Sequence, residues 1–186
     1  MLTRERIIEL FAELNNELCD MGIRGDIFIV GGAAMTLAYD ARPATRDIDG
    51  IWRPSTEVRA AAARVAQRHD DLGLDWLNDG VKGFLPGDDQ GSSRVVYDNT
   101  CLTVSAASPE YLLATKLLAS RVSRDEDDIL TLYDLCGFAT TDEGLALIER
   151  YYPGKPIEAK VGFFLQELLE STAGHRTTRF PEDPVS

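Results

Sequence analysis

No run of 18 apolar residues occurs in the chain, and its opening stretch, MLTRERIIELF, carries Arg4, Glu5 and Arg6 inside an amphipathic pattern. Neither a membrane-spanning helix nor a secretory leader tolerates that, so a cytoplasmic protein with no membrane partner is expected. Histidine is scarce. His69 and His175 lie far apart in polar stretches, which argues against a histidine-based metal centre or catalytic triad. Cysteine is scarce too, and Cys19, Cys101 and Cys136 are odd in number, widely spaced and set among apolar or small residues, so buried free thiols are expected. Positive charge is in deficit: 19 Lys and Arg face 31 Asp and Glu, for a net charge of −12. Such a balance argues against a broad basic face that holds nucleic acid by counterion release. A local basic strip remains open, because Arg42, Arg46, Arg53, Arg59, Arg64 and Arg68 gather within 42–68.

What is present suffices for a core. The 186 residues are 44% apolar, the size of one ordinary domain or of a core with a helical appendage. Ile7, Ile8, Leu10, Phe11, Leu14 and Leu18 recur at helical spacing across 4–21, and Met21-Gly22 closes that helix. Residues 26–30 read as a buried strand ending on Gly31-Gly32, and 33–38 as a short helix. A second strand is expected from Asp47 to Trp52, stopped by Pro54, and then an alanine-rich helix over 55–70 capped by Ser55 or Thr56. The stretch 72–100 is turn-rich, with 76–78 among its irregular parts. Short strands follow at 93–97 and 101–105, joined by a hairpin turn at Asp98-Asn99. Ser108-Pro109-Glu110 opens a helix, since a serine cap before proline at the first helical position is a strong start signal. Further helices are expected at 125–136, 141–150 and 156–173, with a loose tail from Gly174. Trp52 and Trp76 read as packing residues. These boundaries give a core over 1–107, a helical region over 108–173 and a tail over 174–186.

Asp47-Ile48-Asp49 is the pattern that points to chemistry. Side chains alternate along a strand, so Asp47 and Asp49 share one side while Ile48 faces the other layer. Paired carboxylates repel and raise each other's proton affinity unless a cation lies between them, which implies either Mg²⁺ or an arginine such as Arg42 or Arg46. Only glycine lets backbone amides approach an anion without a Cβ in the way, and Gly31-Gly32 supplies that at the end of the preceding strand.

Strand, glycine turn, short helix and a strand bearing Asp-x-Asp together resemble the α+β nucleotidyltransferase fold of the polymerase-beta type. Ser108 to Arg121 and Arg124-Asp125-Glu126-Asp127-Asp128-Ile129 are similar to a block in the AbiEii abortive-infection toxins and their MenT relatives. The resemblance spans roughly 24–136. It implies a small mixed sheet flanked by helices, Mg²⁺ on Asp47 and Asp49, and an NTP substrate approached by Gly31, Gly32, Thr45, Arg46 and Arg121. It further implies that Lys116 contacts phosphate and that Asp125 and Asp128 act with the carboxylate pair. A third core carboxylate, usual in this fold, is absent from 102–106. Asp98, Asp75 and the Asp125/Asp128 motif are the candidates to replace it. The implied activity is transfer of an NMP from an NTP to a hydroxyl, with the 3′ end of tRNA as one acceptor and a cognate antitoxin protein as a partner. Alternatives are a small-molecule, aminoglycoside-like acceptor, or a degenerate binding module without catalysis.

Overall fold

The computed structural model describes residues 1–119 and 125–177, which fall into two compact units divided between Leu112 and Leu113. The first unit begins with β1 (Leu2–Thr3) and α1 (Arg4–Asp20). The Thr3 hydroxyl accepts from the Arg6 amide at 3.3 Å and starts the helix, and Ile7, Leu10, Phe11, Leu14 and Leu18 form its buried stripe. Burying each of those large side chains is worth about 1.5–3 kcal/mol. Gly22, at φ +65°, ends the helix in the left-handed conformation that glycine adopts without a Cβ clash. Next come β2 (Gly25–Ile29), α2 (Gly31–Ala38), β3 (Ala44–Thr45), β4 (Ile48–Arg53), α3 (Ser55–Ala66), β5 (Leu77–Asn78), β6 (Arg94–Asn99) and β7 (Leu102–Ala106).

Five of these strands make one mixed sheet in the order β5-β4-β2-β7-β6, and β1 pairs with β3 in a separate antiparallel ribbon. β2 runs antiparallel to β4 and parallel to β7. Alternation decides the faces. Ile27, Ile29, Ile48, Trp52, Leu102 and Val104 are buried on the side where Leu18 of α1 and Val58 of α3 approach the Gly25 backbone. Asp26, Phe28, Asp49, Ile51, Thr103 and Ser105 point to the opposite face and keep partial or full solvent access.

The second unit is helical. α4 (Pro109–Leu118) begins in the first unit, and its last turns belong to the second. Within the second unit follow α5 (Glu126–Cys136), α6 (Thr141–Tyr151) and α7 (Ala159–Thr177). Gly137, at φ +68°, stops α5, and a reciprocal capping box between Thr140 and Glu143 starts α6. A Cβ on Gly144 would lie 2.0 Å from the Tyr133 hydroxyl, so α6 carries glycine where the Tyr133 ring comes in.

Several sequence expectations need correction. Cys19 and Cys101 are joined as a disulfide, not free thiols; the end of α1 and the start of β7 bring their Cα atoms to 5.4 Å, and Cys136 is not disulfide-bonded. Residues 76–78 are not wholly irregular, since Leu77–Asn78 pairs with β4. Asp98 and Asn99 belong to β6 and the turn falls two residues later, at Thr100-Cys101. Ser55 and Thr56 lie inside α3, whose cap is Pro54 without a side-chain bond. Residues 174–177 continue α7, and the rest of the expected tail lies outside the described residues. Trp52 and Trp76 are packing residues as read, with the Trp76 indole N–H donating to the Ala62 carbonyl at 3.0 Å. Among the described residues no helix is long and apolar enough to cross a membrane.

Candidate functional site

β4 lies between β2 and β5, so the Asp-x-Asp pair sits on an interior strand. The strand proper starts at Ile48, whose side chain is fully buried, while Asp47 and Asp49 flank it and are half-exposed. The end of β2 is tied to this point, because the Val30 amide donates to the Asp49 carbonyl at 2.9 Å. Gly31 follows at φ +58°, and a Cβ there would stand 3.4 Å from Asp49 Oδ2. The glycine turn therefore lies directly against the carboxylate. Its two glycines are the first residues of α2, so the turn expected before that helix is the helix's own first turn.

Gly32 is required for a different reason. A Cβ on it would fall 2.5 Å from Thr45 Oγ1 and 3.8 Å from a guanidinium nitrogen of Arg42. Thr45 is buried in the β1–β3 ribbon and its hydroxyl donates to the Asp47 carbonyl at 3.1 Å. Thus the hydroxyl of β3 fills the space of a side chain at position 32 and fixes the backbone of Asp47. Arg46 is exposed beside it and forms no ion pair among the described residues.

The electrostatics match two like charges left together. The Asp49 carboxyl is pushed above the ordinary carboxylate range by burial first and by the Asp47 charge second, against a hydrogen bond from the Asn78 side chain. Neither aspartate has a cation within ion-pair distance among the described residues, so the arginine reading of the pair fails for Arg46. Asn78 stands opposite Asp49 in the parallel β4–β5 pair. An amide thus occupies the nearest strand position at which a third carboxylate could have stood. Asp98 does not replace it: it is registered with Thr103 at the start of β7, receives the Thr103 hydroxyl at 2.9 Å and pairs with Arg24 at 3.5 Å. Thr103 is in turn registered with Asp26, near the beginning of β2, whereas Asp49 lies beyond its end. Asp75 is exposed. No group of three or more His, Cys, Asp or Glu side chains suited to a metal ion occurs among the described residues.

A Mg²⁺ site needs only one or two protein carboxylates when substrate phosphates and waters complete the shell. Asp47 and Asp49 fit that requirement, and the raised proton affinity of Asp49 is what a cation would relieve.

Within the second unit the structure gathers the other predicted residues. Lys116 Nζ lies 2.6 Å from Asp128 Oδ2 and 3.1 Å from Asp125 Oδ1, with the lysine side chain 12% and Asp128 5% exposed. The acidic start of α5 is therefore more than a favourable match to the helix dipole, because two of its carboxylates receive a buried ammonium. Arg121, expected beside Lys116, lies outside the described residues. Sequence reading missed Asn78, because a two-residue strand has no periodicity to reveal it.

No curated protein matches the chain, and no solved structure does. Residues 5–138 match a family described as "Nucleotidyltransferase of unknown function (DUF6036)". That stretch contains the glycine turn, Asp47, Asp49 and the Lys116 cluster and covers more than half of the chain, which therefore belongs to this nucleotidyltransferase family.

Proposed function

We propose that the protein transfers an NMP from an NTP to a hydroxyl acceptor, at the site formed by Gly31, Gly32, Asp47 and Asp49. The observation that carries this reading is the Asp49 carboxylate set against the positive-φ Gly31, beside a second carboxylate and with no cation in ion-pair distance among the described residues. The open amides of the glycine turn suit the phosphates of the donor, with Thr45 and Arg46 next to them. Asp47 and Asp49 would hold Mg²⁺, which when bound neutralises phosphate charge and lowers the pKa of an attacking hydroxyl. The acceptor oxygen forms a bond to the α-phosphorus as the bond from that phosphorus to the bridging oxygen breaks. Pyrophosphate leaves with the electron pair, and the hydroxyl proton passes to solvent.

The finer assignment, to AbiEii/MenT-like enzymes with a tRNA 3′ end as acceptor and an antitoxin as partner, is supported by the Lys116 to Asp128 block of the sequence. In that assignment Lys116 and Arg121 contact phosphate, and Asp125 and Asp128 assist the acceptor. One observation favours a second reading, a binding module without catalysis: Asn78 supplies an amide beside Asp49 where catalysis would profit from a third carboxylate.

Incubation with each α-labelled NTP, Mg²⁺ and total RNA tests the proposal. Label transfer is expected from the wild type, reduced at least about 100-fold in Asp49→Ala, the scale of losing a principal electrostatic contributor to catalysis. Absence of transfer with every NTP rejects it. Titration of Mg²⁺-NTP by calorimetry then separates the module reading, since equal binding by wild type and Asp49→Ala would remove the metal site altogether.

A further inference from the structure

Beside Asp49 stands an amide, and strand alternation puts it there. In the parallel β4–β5 pair Leu77 is registered with Ile48, and Asn78 with Asp49. Leu77 and Ile48 are both buried in the core, so the half-buried Asn78 and Asp49 share the opposite face. The short strand is well anchored. The Ile48 amide donates to the Trp76 carbonyl at 2.7 Å, and the Trp76 indole is itself buried and bonded to the Ala62 carbonyl. Asn78 therefore enters the site from a pinned backbone.

The two ends of its side chain are assigned by what they face. The Gly80 amide can only donate, and it lies 3.2 Å from Asn78 Oδ1. That leaves Nδ2, which can only donate, for the Asp49 carboxylate, which when ionised can only accept. Both demands select one orientation of the amide. An aspartate at position 78 would still accept from Gly80, but it would set a third negative charge against Asp49 and Asp47. Asparagine holds Asp49 without adding charge.

This difference fixes how much positive charge the site can take. Two aspartates match one divalent cation, whose shell phosphates and waters complete. A pair of cations about 4 Å apart, the other arrangement used for phosphoryl transfer, brings twice the charge and calls for further carboxylate. Among the described residues no group of three His, Cys, Asp or Glu side chains is placed to hold a metal.

We infer that Asn78 is a positioning residue: it orients the Asp49 carboxylate toward the cation and, by standing where a third carboxylate would, keeps the site to a single divalent ion. The inference rests on the metal-site reading of Asp47 and Asp49. It adds how many cations that site takes and what holds one of its ligands in place.

Titration of the full chain with Mn²⁺, followed by the electron paramagnetic resonance of the free ion, counts bound cations without any nucleotide. The wild type is expected to bind one Mn²⁺ per chain. Asn78→Ala should keep that count and lose affinity by at least about tenfold, the usual scale for removing a group that orients a metal ligand. Asn78→Asp keeps the acceptor for Gly80 and should take up a second Mn²⁺, with the two signals broadening each other. If Asn78 served the Gly80 turn alone, Asn78→Asp would match the wild type in count and affinity. Two ions on the wild type, wild-type affinity in Asn78→Ala, or a single ion on Asn78→Asp each overturns the inference. Should Asn78→Ala fail to fold, the count on Asn78→Asp decides by itself. Asp49→Ala separates the two levels. Unchanged Mn²⁺ binding there, or none in the wild type, removes the metal site and this inference with it, whereas a loss in Asp49→Ala with none in Asn78→Ala sinks only the role of Asn78.

Discussion

Two pairs of aspartates in this protein meet opposite electrostatic fates. Asp125 and Asp128 close on Lys116, with Asp128 and the ammonium both nearly out of solvent. Asp47 and Asp49 flank Ile48 with no cation in ion-pair distance among the described residues, and burial together with the Asp47 charge raises the proton affinity of Asp49. The first cluster holds an ammonium of its own. The second lacks a cation among the described residues, and that difference is the better guide to a binding site than the number of carboxylates in either place. It also bears on the role implied for Lys116, because its ammonium is already engaged and any phosphate contact must compete with Asp128 at 2.6 Å.

The largest effect that sharpens this contrast is expected from the lysine-bearing cluster. Lys116→Ala removes the ammonium from the buried Asp128 carboxylate and should cost about 3 kcal/mol in urea unfolding, the usual scale for breaking a buried pair by removing one partner. A cost near zero would show that the cluster holds no structural charge and would dissolve the comparison.

A smaller effect is expected at the glycine turn. Gly32→Ser places a Cβ 2.5 Å from the Thr45 hydroxyl, and such overpacking should destabilise by about 2 kcal/mol and weaken Mg²⁺-NTP binding. Adding Thr45→Ala empties that space, so the double variant should recover stability and return a hydroxyl to the turn from position 32. If the double variant is no better than Gly32→Ser, the packing of Thr45 against Gly32 is not what fixes this end of the site.

The smallest effect concerns Asp49 itself and has a defined sign. Its folded pKa lies above the unfolded value, so the stability of the protonated form is present at low pH and lost as pH rises through the folded pKa. Asp49→Asn keeps the shape without the charge. It should raise the thermal midpoint slightly at pH 7, with the gain vanishing below about pH 4, where the carboxyl is protonated in both states. Mg²⁺ should stabilise the wild type and leave Asp49→Asn unmoved. A destabilised variant at pH 7, or equal Mg²⁺ stabilisation of both proteins, would end the claim that this pair lacks a partner of its own.

Much of the frame was legible in the chain because it depends on local rules. Helical spacing from Ile7 to Leu18, the serine before α4 and the proline that opens it, and strand alternation around Ile48 are each set within a few residues. The Asp-x-Asp face followed from the same alternation. The two-residue strands β1, β3 and β5 were not legible, since pairing partners rather than periodicity make them strands, and with them went Asn78 and the packing of Thr45 into the place of a side chain at Gly32.

The sequence by itself determined where the carboxylates fall along the strand, why glycine precedes them and that the chain is too acidic for a broad nucleic-acid grip. Only the tertiary structure decided which charges are satisfied. It joined Cys19 to Cys101, spent Arg59, Arg64 and Arg68 on an aspartate and two glutamates, gave Lys116 two partners, and left Asp49 on a partly open face. The physical reason is that a charge's partner is set by distance across folded elements, which the order of residues along the chain does not encode.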